Sequence, residues 1–501
     1  MFKKVLVANR GEIAVRVLRA CRELGVAGVA VYSEPEATAL HARYADEAYC
    51  IGGGPAAESY LSGEKIIAAA KRAGAEAIHP GYGFLSEQAE FATACAAAGL
   101  TFIGPRPESL RQLGDKVEAR RIAEAAGVPT VPGTTGAVGF DEAAAAAAAI
   151  GYPILIKAAA GGGGKGIRLV MEAAALEPAL HLAKGEAEAS FGDGGVYLER
   201  HLDPVRHIEV QILADRQGNV IHLGERECSI QRRSQKLVEE SPSPAVDAAL
   251  RERLGAAAIS IARQAGYENA GTVEFLLDAT GSFYFIEANA RLQVEHPVTE
   301  LVSGIDLVQA QLRIASGEPL GLSQADVRLT GWAIECRITA EDALKGFMPS
   351  LGQISWVSEP AGPGVRVDSS LFDGLEILPY YDSLIAKAIV WGRDRGEALS
   401  RMRRALAEYE IAGIKTTLPF HRELFVNPDF LAGEIETRFL ERKFLPGLAE
   451  GADGNAALLV ATLLSHERQR GAPAAGEQRS GWRLAARLGR STKGGPWRNT
   501  P

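Results

Sequence analysis

Residues 283–300 read FYFIEANARLQVEHPVTE, and residues 271–278 read GTVEFLLD. Both carry apolar runs, and each predicts a buried strand. Glu287, Asn289 and Arg291 alternate, so a continuous strand would carry all three on one face. Glu274 sits in the neighbouring run. Several polar groups facing one way from buried strands are costly without partners. Two carboxylates and an amide offer hard oxygen donors, which suit Mg²⁺ beside nucleotide phosphates. Arg291 on the same face suits an anionic reactant nearby. The alternative is a surface strand of alternating polar residues, and the flanking apolar runs argue against it.

Outward from these two strands, RHIEVQIL (206–213) and VIHLGERE (220–227) read as further strands of one large central sheet. Helices at 245–265 and 303–315 flank it. Residues 331–445 hold short strands and then a helix at 395–410. The N-terminal region has a different rhythm. A strand at 3–8, a helix at 11–25 and a strand at 26–32 form a β-α-β unit, which favours a parallel sheet. That pattern continues through a helix at 63–73, a strand at 75–80, a helix at 87–98 and a strand at 100–104. A boundary is expected near 113, followed by a helix at 115–126.

Between these regions lies KAAAGGGGKGIR (157–168), with a strand entering and a strand leaving. Its glycines let backbone N–H groups approach phosphate oxygens, and Lys157 and Lys165 add charge. It is not a Walker A loop, because GxxxxGK[ST] is absent and no helix begins at its end. A flexible hairpin tip needs glycines equally. The alanine run at 141–151 reads as a surface helix.

Two further segments are less decisive alone. ERECSIQRRSQKLVEESP (225–242) is dense in charge of both signs and reads as a solvated loop, with Cys228 a small buried hydrophobe. HPGYGFLSE (79–87) reads as a tight turn in which Ser86 caps the next helix.

Composition narrows the classes. The 501 residues are 47% hydrophobic and 23% charged, with net charge −8, so wholesale disorder and a primarily nucleic-acid-gripping chain are both disfavoured. Five scattered cysteines without CxxC spacing argue against a disulfide scaffold or structural zinc site. No signal-peptide pattern and no run of 18 apolar residues appears, so the sequence predicts a cytoplasmic protein without a membrane span.

Eight motifs occur in a fixed order: ANRGEIA (8–14), HPGYGFLSE (79–87), GDK (114–116), KAAAGGGGKGIR (157–168), ECSIQRRSQK (227–236), EANARLQVEHPVTE (287–300), ECRITAED (335–342) and PYYDSLIAK (379–387). Together they resemble the biotin carboxylases of the ATP-grasp superfamily, over about residues 1–445. The resemblance implies an α/β fold. An N-terminal doubly wound parallel-sheet domain (1–113) precedes an ATP-grasp domain (114–330) with a central antiparallel sheet and a mobile α+β lid (131–203). A C-terminal α+β region (331–445) and a basic tail (446–501) follow.

The same resemblance implies the chemistry. MgATP (or MnATP) activates bicarbonate as carboxyphosphate, and the carboxyl group passes to N1′ of biotin on a separate carrier protein. Lys116, Lys157, Gly163, Gly164, Glu199, Arg200, Leu202, His207, Gln231, Glu274 and Glu287 match the ATP site. Glu274, Glu287 and Asn289 match the metal site. Lys236, Arg291, Gln293 and Val294 match the bicarbonate site. Tyr82, Gly83 and Arg337 match the biotin pocket, and Glu295 matches the general base. The catalytic set is therefore Lys236, Arg291, Glu295 and Arg337. Ser234 departs from a histidine common in the family, and it cannot titrate there. Ala288, Ala290, Trp332 and Thr339 also depart, without removing a residue assigned to the chemistry.

Implied partners are the carrier, a carboxyltransferase and a second copy of the chain, with no nucleic acid and no membrane. The family's carriers take biotin on a lysine beside methionines, and here Met1, Met171, Met348 and Met402 all lack a following lysine. The holoenzyme is expected to be acetyl-CoA carboxylase, in fatty acid biosynthesis. Propionyl-CoA, other acyl-CoA or pyruvate carboxylase are the alternatives. The remaining rivals are an ATP-grasp ligase with another acceptor and a silent regulatory subunit. The tail 468–501 carries eight basic residues against the single acid Glu477 and is read as a flexible arm or docking segment.

Overall fold

The computed structural model describes residues 1–134, 136–158, 167–192 and 194–445. Gly163, Gly164, Lys165 and the basic tail 446–501 lie outside the described residues.

Lys4–Val7 (β1), Ala27–Tyr32 (β2), Glu47–Cys50 (β3), Ala77–His79 (β4) and Thr101–Phe102 (β5) form a parallel sheet in the order β3-β2-β1-β4-β5. The helix Gly11–Glu23 makes the first crossover. Alternation along β1 serves both faces of this sheet. Val5 and Val7 pack with Leu213, Leu292 and Leu307, while Leu6 and Ala8 pack with Ile66 and Phe91. The N-terminal sheet is thereby seated directly on the elements that carry the site.

The helix Pro107–Gly114 runs through the expected boundary at 113. Asp115 then accepts from the N–H groups of Val117 and Glu118 and caps the helix Lys116–Ala125. Ile154–Ala158 (β6), Ile167–Val170 (β7) and Val196–Arg200 (β8) form a small antiparallel sheet, backed by the helices Phe140–Ile150 and Leu176–Phe191. Its core is its own, built on Ile154, Ile156, Leu180 and Leu198.

The central sheet has eight strands. Val205–Ala214 (β9), Val220–Arg232 (β10), Gln235–Ser241 (β11), Asn269–Asp278 (β12), Phe283–Asn289 (β13) and Trp332–Thr339 (β14) are joined by Val365–Ser369 and Leu384–Gly392. The order is β13-β12-β9-β10-β11-β14, then 384–392, then 365–369, and every described pairing is antiparallel. This is the ATP-grasp fold of mixed α and β structure that the motifs imply.

Three local expectations are corrected. The helix read at 303–315 begins only at Leu307, as Leu307–Ala315, and a separate helix, His296–Ser303, precedes it. Gly304 adopts left-handed φ +72° and ends the earlier helix, and Asp306 caps the later one through the Gln309 N–H. Ser86 caps nothing: the next helix starts at Ala89 after Gln88, without a side-chain cap. The segment 225–242 is no solvated loop. Most of it forms the buried hairpin β10–β11, because its charges find partners of opposite sign on the neighbouring strand (Arg226 with Glu209) and on the helix Ala248–Gln264 (Glu225 with Arg251).

Candidate functional site

One row of residues organises the site. Cross-strand register places Arg226 of β10 beside Glu209 of β9, Glu209 beside Glu274 of β12, and Glu274 beside Glu287 of β13. Directly paired residues share a face. Three carboxylates and one guanidinium therefore line up across four strands. Arg226 is wholly buried and spends its donors on Glu209, Gln211 (2.7 Å), Thr299 (2.9 Å) and Thr272 (3.0 Å).

Lys236 enters from β11. Its ammonium lies 2.5 Å from Glu209, 2.7 Å from Glu295 and 2.9 Å from Glu274. Burial opposes this charge, but the three carboxylates outweigh burial and hold the ammonium well above its ordinary range. Glu295 is itself fully buried, with Oε1 on Lys236 and Oε2 at 3.0 Å from Arg337 Nη2. Burial raises its proton affinity, yet Lys236, Arg337 and Arg226 dominate and hold it well below the usual carboxylate range. Arg337 of β14 also donates from Nε to Glu239 Oε1 at 2.6 Å.

The strand β13 stops at Asn289, so Arg291 is not on it as expected. The guanidinium still returns to the same place, donating to Asn289 Oδ1 (3.1 Å), Gln293 Oε1 (2.9 Å) and Glu87 Oε2 (2.7 Å). Asn289 and Gln293 in turn donate to Glu274 Oε1 at 2.8 and 3.3 Å. His207 of β9 brings Nε2 to 2.7 Å from Glu274 Oε2. Burial pushes Glu274 up, and Lys236 and His207 overcome it, so the carboxylate stays ionised far below its usual range.

These donors fit a hard divalent cation. Glu274 and Glu287 are register partners on neighbouring strands, Asn289 lies two residues beyond Glu287, and all three offer oxygen. The Asp115 cap sets Lys116 at the first helical position, with its ammonium 3.5 Å from Glu287. In the small sheet, Lys157 of β6 pairs with Glu199 of β8, and Arg120 reaches the same carboxylate at 3.4 Å. Arg200 is exposed at the end of β8, and Leu202 is half-buried in the loop after it. Gln231 is opposite Lys236 in the hairpin register.

Ser234 and Arg233 form the hairpin tip, both with positive φ (+66° and +48°). Cys228 is buried, and burial pushes its thiol well above the ordinary range, so it is a packed side chain and not a nucleophile.

The comparisons with known proteins agree along the chain. Residues 1–110 match the family model for the biotin carboxylase N-terminal domain. Residues 115–323 match the ATP-binding domain of the carbamoyl-phosphate synthase L chain, and 335–442 match the biotin carboxylase C-terminal domain. The chain belongs to the biotin carboxylase family. It is 56% identical to the biotin carboxylase of Nostoc sp. over 441 residues, covering 88% of this chain and 99% of that one. It is 54% identical to a pyruvate carboxylase subunit of Methanothermobacter thermautotrophicus, covering 88% and 90%. The biotin carboxylase domain dimer of Hydrogenobacter thermophilus 2-oxoglutarate carboxylase, solved with MgADP, ADP and bicarbonate, superposes with a TM-score of 0.86. That structure is 52% identical and covers 88% of this chain and 97% of its own.

Within this biotin carboxylase fold, sequence reasoning passes over Glu209, Arg226 and Glu239. Glu209 and Gln211 alternate inside the apolar run IEVQIL, which is a readable sign of a polar face. Nothing in the local sequence distinguishes Arg226 from a surface charge, because its partners come from β9, β12 and the helix His296–Ser303.

Proposed function

We propose that this chain uses MgATP to activate bicarbonate and then carboxylates N1′ of biotin held on a separate carrier protein. The observation that carries the reading is the placement of the fully buried Glu295 between the part-buried Lys236 and Arg337. Bicarbonate beside Lys236 and Arg291 has two cations to hold it, with the Gln293 amide and the Val294 backbone completing the cradle. Its own charge then competes for Lys236, which raises the proton affinity of Glu295. Glu295 can take the bicarbonate proton as the oxygen attacks the γ-phosphorus and ADP leaves. Arg337 next stabilises charge on the ureido oxygen of biotin while N1′ attacks the carboxyl carbon of carboxyphosphate, the C–O bond to phosphate breaks, and the departing phosphate takes the N1′ proton. Tyr82 and Gly83 line the biotin side.

Glu274, Glu287 and Asn289 would hold Mg²⁺, which when bound neutralises charge on the triphosphate and polarises its γ-phosphoryl group. Lys116 and Lys157 place compensating charge on the phosphates. Glu199, Arg200 and Leu202 line the adenine side, with His207 and Gln231 near the ribose and phosphates. The domains follow 1–113, 114–330 and 331–445, and the enzyme works as a homodimer, the state named for the Hydrogenobacter structure.

The test is ATP hydrolysis by the full chain. Hydrolysis should require bicarbonate and rise with free biotin. Hydrolysis indifferent to both sinks the reading. Relatives at similar identity are named for biotin, pyruvate and 2-oxoglutarate carboxylases, so the half-reaction is common to them. The acceptor follows from the carboxyltransferase recovered with this chain from native lysate, with acetyl-CoA the first candidate.

A further inference from the structure

Two of the ordered motifs, ANRGEIA and PYYDSLIAK, supply no residue to the chemistry above. The structure brings them together. Lys387 closes the second motif and is wholly buried on the strand Leu384–Gly392. In the sheet register it lies between Arg337 on one side and Asp368 on the other. Its ammonium donates to the Val294 carbonyl at 2.8 Å. Asp368 Oδ2 is 3.8 Å away and Glu12 Oε2 is 3.5 Å away.

Glu12 belongs to the first motif and is also buried, on the helix Gly11–Glu23. Its other oxygen, Oε1, accepts from the Tyr82 hydroxyl. Asn9, from the same motif, donates to the carbonyls of Pro80 and Tyr82, both at 2.7 Å. The Tyr82 ring itself lies 5.9 Å from the Lys387 ammonium.

We propose that Lys387 is a positioning residue that couples the two substrate subsites, fixing the Val294 backbone on the bicarbonate side and, through Glu12, the Tyr82 hydroxyl on the biotin side. The proposal rests on the roles given above to Val294 and Tyr82. Physically, the buried ammonium is held by one hydrogen bond to the Val294 carbonyl and by the flanking charges of Glu12 and Asp368, so its position links the two sides. Burial opposes the charge on Lys387, and Glu12, Glu335 and Asp368 more than compensate, keeping it a cation against Arg366. The N-terminal region thus reaches the site through this ion pair as well as through Glu87 and Tyr82.

The experiment is steady-state kinetics of the full chain with free biotin, comparing wild type, Lys387→Met and Glu12→Ala. Wild type that fails to couple ATP cleavage to bicarbonate and biotin overturns the functional reading itself. Given a coupled wild type, Lys387→Met should raise KM for bicarbonate and for biotin by about tenfold each, with KM for ATP within twofold. Glu12→Ala should raise KM for biotin by a similar factor and leave KM for bicarbonate within twofold. A purely structural lysine would lower the folded fraction, hence kcat, without moving either KM. That result, or a Glu12→Ala enzyme with wild-type KM for biotin, overturns the proposal. Should Lys387→Met not fold, the Glu12→Ala constants alone decide it.

Discussion

Lys236 and Glu295 meet at 2.7 Å in a pocket where Glu295 has no solvent exposure. Lys236 simultaneously neutralises Glu209 and Glu274. Lys236→Met would leave these carboxylates with Arg226, His207 and Arg337 as their remaining counter-charges. Breaking a buried charge network by removing one partner costs on the order of 3–5 kcal/mol. The bicarbonate cradle loses a cation as well, worth roughly 10²–10³ in rate by analogy with other preorganised electrostatic contacts. Both losses are expected together: a lower melting temperature and bicarbonate-dependent ATP cleavage down by about that factor. A stable Lys236→Met protein with wild-type turnover would contradict the assignment.

Arg337 separates two functions that Lys236 combines. It touches Glu295 and Glu239 but none of Lys116, Lys157, Glu274 or Glu287. Arg337→Ala is therefore expected to reduce biotin carboxylation by roughly 100-fold or more while MgATP binding, read by calorimetry, persists. Loss of nucleotide binding in this variant would show that the guanidinium supports the ATP side.

How much of this is legible in the sequence depends on where each partner lies. The helix read at 63–73 is found there, because its apolar period and its glycine terminator are both local. The pairing of Glu274 with Glu287 follows from two apolar runs and strand alternation. The hairpin 225–242 reads as a loop because charge density is a local quantity whereas charge compensation is not. Arg226 finds Glu209 across 17 residues, and Glu240 finds Arg395 across 155. Arg291 reaches the site by a turn rather than by alternation, which no periodicity encodes. The Lys387–Glu12 approach joins residues from opposite ends of the described chain and has no sequence signature beyond its two motifs.

The hairpin tip offers a stability test. Arg233 and Ser234 both hold positive φ, as a two-residue hairpin turn of the mirror-image type demands. A non-glycine residue in that region costs about 1 kcal/mol relative to one that adopts it freely. Ser234 is exposed. Ser234→Gly is expected to raise stability by up to about 1 kcal/mol, offset in part by the added freedom of the unfolded chain. Chemical denaturation monitored by intrinsic fluorescence measures the difference, and a destabilised variant would mean that the serine side chain contributes contacts worth more than the strain.

Glu239 is fully buried on β11, with Oε1 on Arg337 and no hydrogen bond to Oε2 among the described residues. Across the register lies Glu335, also buried, whose oxygens hydrogen-bond to none of the described residues. Burial, partly offset by Arg337, pushes the Glu239 carboxyl up to about 7. In the unfolded chain it titrates at an ordinary ~4.3. Between those values the folded state binds more protons than the unfolded state, so this group makes stability fall as pH rises, with the fall complete about one unit above 7. Glu239→Gln cannot ionise and still offers an oxygen to Arg337. Its stability should therefore decline less steeply than that of wild type between about pH 4.3 and 7, and the two curves should run parallel above pH 8. Denaturant midpoints measured at half-unit intervals give the slopes. Equal slopes in the two proteins would place the Glu239 pKa near its unfolded value and assign the ion pair with Arg337 greater weight than burial.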